Sequence, residues 1–315
     1  MAIITREKIT SLYERYKEID VTYTRDIIEV TGMITQQVYL KCEGDFWPCV
    51  VYSSSFQSAK VVVNIKTGFL DKLQRTNNMV SLRFCFKTAD AGTVTFFVAA
   101  RSTGYSLYGD SKEMGIFTIQ FTQRPPDDLI EIFGKLLDAN VNSTKRKDER
   151  VVLTPEIQRR LKLLSKETAV FIEKVPRRCI IRDLSFSGSK IIMVGVAKFL
   201  QGKRVALRVD FVDPQERFLI SGEFVRVENV EGLADLIALA INFTETLIPM
   251  GFKIRLNDYM GQVRAVDREI QPESSMEPLR KESKAVEKKS ARSRQIPAED
   301  PLAEALDALP SQEED

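Results

Sequence analysis

Between residues 168 and 243 the chain breaks into six short runs of β-branched, aromatic and aliphatic residues, at 170–173, 178–184, 189–194, 204–211, 218–228 and 233–243. Turn formers separate them: Gly195, Gly202, Asp213-Pro214 and Glu231-Gly232. Runs of that length and punctuation read as strands. Six short antiparallel strands suit a closed barrel better than an open sheet, because closure leaves no edge unpaired. This stretch is the strongest constraint on the fold.

The preceding half is also mainly β. Strand-like runs fall at 21–30, 37–40, 47–52, 60–65, 80–86, 93–100 and 116–121, broken by Gly32, Gly44 and Gly68. In the last of them Phe117, Ile119 and Phe121 alternate with Ile116, Thr118 and Gln120, so one face is apolar. A short helix over 7–17, with Leu12 and Tyr16 at helical spacing, precedes these runs. A second begins at Pro125-Pro126-Asp127-Asp128, where proline and acids favour a helix start. Leu129, Ile132, Phe133, Leu136 and Leu137 give it an apolar stripe, and it is expected to stop near Ala139-Asn140. Residues 140–144 then read as a polar hinge. Thr154-Pro155-Glu156 opens a helix expected over 155–164, and Pro249 opens a last one through 259. The fold class is therefore mainly β with accessory helices, two small antiparallel β-barrel-type domains in tandem.

After Gly261 the composition changes to Glu, Lys, Arg and Ser, too poor in large apolar residues to bury a core. Residues 262–315 are expected to be a disordered charged tail. Leu302, Leu306 and Leu309 within it have the spacing of a helix that could meet a partner.

Composition narrows the chemistry. There is no histidine, which removes the commonest general base and metal ligand. No metal-ligand cluster and no nucleophile beside a base can be found, so catalysis is not expected and no cofactor or metal is assigned. Cys42, Cys49, Cys85 and Cys179 form no C-x-x-C pair and read as core thiols rather than zinc ligands. The net charge of +2 advertises neither nucleic acid nor membrane, so an anionic ligand must be met by a local patch. The start lacks the apolar core of a signal peptide, and no apolar run approaches the roughly 20 residues of a membrane span. A cytoplasmic location is the expectation.

That local patch lies at the hinge. Arg146 and Arg150 are separated by three residues and flanked by Lys145 and Lys147. Some thirty residues on, Asp183, Ser185 and Gly188 fall at the end of an expected strand. Taken singly, the arginines are an ordinary basic surface, and the second motif is a turn in which Asp and Ser bond their own backbone. Taken together and in this order, R-x-x-x-R and D-x-S-x-x-G resemble the signature of the PilZ-domain family, and the resemblance covers residues 146–261. It implies a small β-barrel receptor for cyclic di-GMP. Residues 151–261 would be the PilZ barrel and residues 141–150 the hinge carrying R-x-x-x-R. Residues 1–140, which hold neither motif, are similar to the signature-less PilZ-like domain that precedes the barrel in some members.

The chemistry suits that ligand. An arginine fork matches the O6/N7 edge of guanine or a phosphate, and stays charged at any physiological pH. Two arginines on a mobile segment could close over ligand from one side. Asp183 can accept from the guanine N1–H and N2–H. Ser185, two residues on in a strand, is expected on the same face as Asp183. Gly188 would ease the backbone where the strand turns or ligand comes close. Lys145, the residue before the first arginine, is a candidate for contact with a second ligand molecule. Arg177, Arg178 and Arg182 read as surface charge.

The expected function is a non-catalytic receptor that reorients its domains on binding and signals to an unidentified protein partner. The family implies motility control, with the motility apparatus as a candidate partner. The alternative is a nucleic-acid-binding protein using the basic hinge and barrel surface, although no aromatic platform is interleaved with that basic run.

Overall fold

A computed structural model describes residues 5–66, 68–88, 90–196, 200–230 and 232–270. The first seven strands are β1 (Val21–Thr22), β2 (Tyr39–Cys42), β3 (Asp45–Ser54), β4 (Ser58–Asn64), β5 (Met79–Lys87), β6 (Thr93–Leu107) and β7 (Met114–Phe121). They run β1-β3-β2-β5-β6-β7-β4, and a β3–β4 pairing closes six of them into an antiparallel barrel. The second set is β8 (Val151–Val152), β9 (Glu167–Ile172), β10 (Val175–Leu184), β11 (Gly188–Val194), β12 (Arg204–Val212), β13 (Gln215–Val230) and β14 (Leu233–Phe243). Its order is β11-β14-β13-β12-β9-β10-β8, and β10–β11 pairing closes it likewise. Each barrel has its own apolar core. The alternation that marked β7 holds, with Phe117 and Ile119 buried.

Among the described residues six α-helices accompany the barrels: α1 (Arg6–Tyr16), α2 (Arg25–Thr31), α3 (Phe69–Arg75), α4 (Asp127–Lys145), α5 (Pro155–Arg160) and α6 (Met250–Ile270). Several differ from expectation, for local reasons. The run 21–30 is strand only at Val21–Thr22. From Arg25 it is helix α2, because the Thr24 side chain caps Ile27 N–H and Gly32 ends the helix in the left-handed region (φ 69°). Capping outweighs the β-branched content there. Helix α3 carries no expected strand or helix signal, and α5 stops at Arg160 rather than 164.

Helix α4 continues through the residues read as a hinge and ends at Lys145. Its polar end is used. The Asn142 amide donates to Asp138 Oδ2 at 3.0 Å and to Asn257 Oδ1 of α6 at 2.8 Å. Asp138 also receives the Tyr16 hydroxyl of α1 at 2.8 Å and Asn257 Nδ2 at 3.0 Å. One carboxylate thus joins the last helix of the first barrel to the helices on either side. Helix α6 likewise passes Gly261, with Val263 against the second core and Arg264 paired to Glu149. Residues 262–270 are therefore helical, not tail. Residues 271–315, with Leu302, Leu306 and Leu309, lie outside the described residues.

All four cysteines are buried and unpaired. Burial pushes the Cys179 thiol up to about 12 and Cys49 higher still, so neither ionises near neutral pH.

The two barrels repeat one another. Thr24 and Thr154 cap α2 and α5 and lie 130 positions apart, as do buried Cys49 and Cys179, and buried Phe56 and Phe186. The tight turns before β3 and β10 match too, with positive φ at Glu43-Gly44 and Glu173-Lys174. Thr122 N–H bonds Ala99 O, and Thr244 N–H bonds Ser221 O, each at 2.9 Å.

Candidate functional site

Along β10, Cys179 and Ile181 point into the second core. Regular alternation would send Asp183 after them, burying a carboxylate among apolar side chains. A bulge prevents this. The β11 partners step from Ile191, opposite Ile181, to Lys190, opposite Asp183, leaving Arg182 as the extra residue. Alternation is thereby shifted by one: Leu184 enters the core and Asp183 turns outward. A bulge that re-aims a side chain beside a functional site is a recurrent device.

The two-residue strand β8 pairs with this end of β10, placing Val152 opposite Asp183 and Val151 opposite Leu184. Arg150 is the residue immediately before β8, so strand pairing delivers it to the carboxylate. Arg150 Nη1 lies 2.9 Å from Asp183 Oδ1, and the same oxygen accepts Lys190 N–H at 2.9 Å. Asp183 Oδ2 takes no hydrogen bond from the described residues. The Arg150 side chain is half exposed (47%) and that of Asp183 mostly buried (13%), so the pair is reached from solvent chiefly on the arginine side.

Ser185 and Gly188 play different parts. Strand β10 ends at Leu184, so Ser185 lies in the turn and not on the outward face beside Asp183. Fully buried, its hydroxyl donates to Gly188 O at 3.0 Å and accepts Gly188 N–H at 3.0 Å. A third bond, Ser185 N–H to Gly188 O at 2.8 Å, closes the turn. The need for glycine at 188 comes from packing: a Cβ there would sit 2.3 Å from Ile241 O of β14. Gly222 presses on β14 from the other side, where a Cβ would lie 2.4 Å from Asn242 O.

Arg146 follows the end of α4, its N–H bonded to Asn142 O at 2.9 Å. Among the described residues its guanidinium meets no partner. Lys145 is the exposed last residue of the helix. The segment between the arginines is docked: Lys147 Nζ lies 3.3 Å from Glu245, and Glu149 pairs with Arg264. It was expected to be mobile. Beside it a groove of ≈ 1010 Å³ opens on the barrel surface, lined by Lys147, Phe171, Arg204, Gly222, Asn242 and Thr244 among others. Asn242 is the β14 partner of Gly188, so groove and signature turn adjoin.

The first barrel keeps this frame without its two arginines and its outward carboxylate. Its bulge falls between Val51 and Ser53, and Ser55 N–H bonds Ser58 O at 2.8 Å, as Ser185 does Gly188. Where the second barrel has Arg146, Arg150, Asp183 and Gly188, the positions 130 earlier hold Tyr16, Asp20, Ser53 and Ser58. Tyr16 is occupied by Asp138.

Residues 7–140 match the family model for the PilZN3 domain. A curated protein of Treponema denticola, named cyclic di-GMP binding protein, is 46% identical over 266 residues, covering 84% of this chain and 85% of its own length. Among solved structures, the Borreliella burgdorferi PlzA protein in complex with c-di-GMP is 21% identical, with 80% of this chain and 98% of that one aligned at a TM-score of 0.36. The Bacillus subtilis inhibitor of motility is 14% identical over 73% of this chain and 97% of its own, with a TM-score of 0.30. The kinship with the Treponema protein spans both barrels at high identity, and the chain belongs to the PilZ-domain family, in the two-domain form whose first barrel lacks the ligand signature.

Proposed function

We propose that this chain is a receptor for cyclic di-GMP, held in the second barrel by Arg146, Arg150 and Asp183 and seated over the turn that Ser185 and Gly188 build. The observation that carries the reading is the bulge at Arg182. It holds one carboxylate outward, with one oxygen fixed by Arg150 and Lys190 N–H and the other open. That open oxygen suits the N1–H and N2–H donors of a guanine. The half-exposed Arg150, and Arg146, which has no side-chain partner among the described residues, supply forks for a Hoogsteen edge or a phosphate.

Arg146 also suggests the output. It follows α4, which packs against α1 and α6 through Asp138 and Asn257. A ligand that recruits Arg146 favours whichever helix arrangement presents it best, and shifts the equilibrium by its differential affinity. One bidentate arginine contact of about 1–3 kcal/mol shifts such a balance about five- to 150-fold. The changed surface would signal to a protein partner; motility control, and with it the motility apparatus, is what the family implies.

Arg146→Ala is expected to weaken binding about 5- to 100-fold without moving the melting temperature of the unliganded protein, because the side chain has no partner among the described residues to lose. Small-angle scattering with saturating ligand should differ from the free profile in wild type and not in the variant. Equal ligand-saturated profiles in the two proteins would sink the domain-movement part.

One observation favours the nucleic-acid alternative. The first barrel carries Tyr39, Phe46 and Phe97 on its outer face, with Phe46 and Phe97 about half exposed and Lys41 and Arg83 among them. Aromatic rings between cations can stack unpaired bases. The cations already cover two of the rings, Lys41 that of Phe46 and Arg83 that of Tyr39, so this reading ranks second. It requires oligonucleotide binding that weakens steeply with salt and is lost in Phe97→Ala.

A further inference from the structure

The signature names Asp183, Ser185 and Gly188 and leaves position 187 open, yet Ser187 is where the two motifs meet. Its N–H donates to Lys147 O at 3.2 Å, and its hydroxyl donates to Asp148 Oδ1 at 3.2 Å. Its carbonyl accepts Phe243 N–H from the end of β14 at 2.8 Å. Lys147 and Asp148 are two of the three residues between the arginines, so Ser187 ties that segment to the barrel from both its backbone and its side chain.

The sister barrel serves as a control. Gln57 stands at the matching position, 130 residues earlier. Its carbonyl keeps the equivalent bond, accepting Phe121 N–H at 2.7 Å. Its N–H turns inward to Ser55 Oγ at 3.1 Å and closes its own turn. Among the described residues, no bond joins Gln57 to the segment before β1. The carbonyl bond therefore belongs to the fold. The bonds to the preceding segment occur in the copy that carries the arginines.

We propose that Ser187 is a positioning residue that docks residues 146–150 on the signature turn before ligand arrives and so sets the affinity of the site. This rests on the receptor reading above. A segment already ordered loses less freedom on binding, and the saving appears as tighter binding. The other ties on the segment's interior, Lys147–Glu245 and Glu149–Arg264, are exposed ion pairs of the kind that contributes little. Ser187 is half-buried and bonds a backbone carbonyl as well as a carboxylate.

The test is calorimetric titration of the full-length chain with cyclic di-GMP, using wild type, Ser187→Ala, Ser187→Thr, Asp148→Ala and the double alanine variant. Losing the hydroxyl bond should raise Kd about 3- to 10-fold with the melting temperature unchanged. Threonine, which retains the hydroxyl, should restore Kd to within about 2-fold of wild type, and the double variant should be no weaker than either single one. Wild-type affinity in Ser187→Ala, losses that add in the double variant, or a loss that threonine does not restore would each overturn the proposal. Failure of wild type itself to bind would overturn the receptor reading and the proposal with it, an outcome plainly distinct from a binding wild type that ignores Ser187.

Discussion

Asp183→Ala is expected to weaken cyclic di-GMP binding by about 100-fold or more. The carboxylate is the acceptor offered to guanine, and hydrogen bonds to a charged group contribute about 1.5–3 kcal/mol each. The loss reaches further than its own contacts. Arg150 Nη1 and Lys190 N–H both converge on Asp183 Oδ1, so the substitution frees the arginine and leaves a strand N–H without its acceptor. Asp183→Asn separates these effects. The amide oxygen can still accept from Lys190, but the charge that holds Arg150 and pairs with two guanine donors is gone. The asparagine variant should therefore fold as wild type does and bind at least about 10-fold more weakly. Titration alongside thermal melting reads both, and an asparagine variant with wild-type affinity would remove Asp183 from the site.

Gly188→Ala is expected to cost the second barrel about 2–4 kcal/mol, a large penalty for one methyl group. The added Cβ would stand 2.3 Å from Ile241 O, and the obstacle is backbone. Strand β14 cannot simply withdraw, because Gly222 already crowds it from the far side at Asn242 O. The first barrel shows what relieves the crowding: Ser58 and Ala100 stand where the second has Gly188 and Gly222, and a side chain fits. Gly261→Ala is the matched control, since nothing lies within 4 Å of its added Cβ in α6. That change should be neutral or stabilising by up to about 1 kcal/mol. Chemical denaturation distinguishes them, and a Gly188→Ala variant as stable as Gly261→Ala would mean that β14 has slack the packing does not reveal.

The barrels were legible because alternation and turn residues act locally, and strands such as β7 bury the face their sequence marks. Helix boundaries were harder where distant partners decide them. Asn142 looks like a helix breaker until Asp138 and Asn257 are brought beside it, and Arg264 looks like tail until Glu149 meets it. The helix at 25–31 was legible in principle. Thr24, Asp26 and Gly32 are start and stop signals, but the β-branched residues around them drew the strand reading.

At the site, the motifs imply arginines closing over ligand from one side and Asp183 accepting from it on the other; the direct pairing of Arg150 with Asp183 is legible in neither motif. The bulge that allows it was written in the spacing of Cys179, Ile181 and Leu184, whose burial cannot follow one unbroken alternation. Strand alternation puts Ser185 on the face of Asp183, but the strand ends one residue before it and the side chain turns into the buried corner instead. Ser187 had no signal in the motif, since its role depends on a segment some forty residues earlier.

The most direct measurement is calorimetric titration of the purified full-length chain with cyclic di-GMP. The account predicts saturable binding that collapses in Asp183→Ala and weakens in Arg146→Ala. A folded wild-type protein that takes up no ligand across the micromolar range would contradict it, and leave the bulged carboxylate and its arginine as parts of a scaffold that serves some other contact.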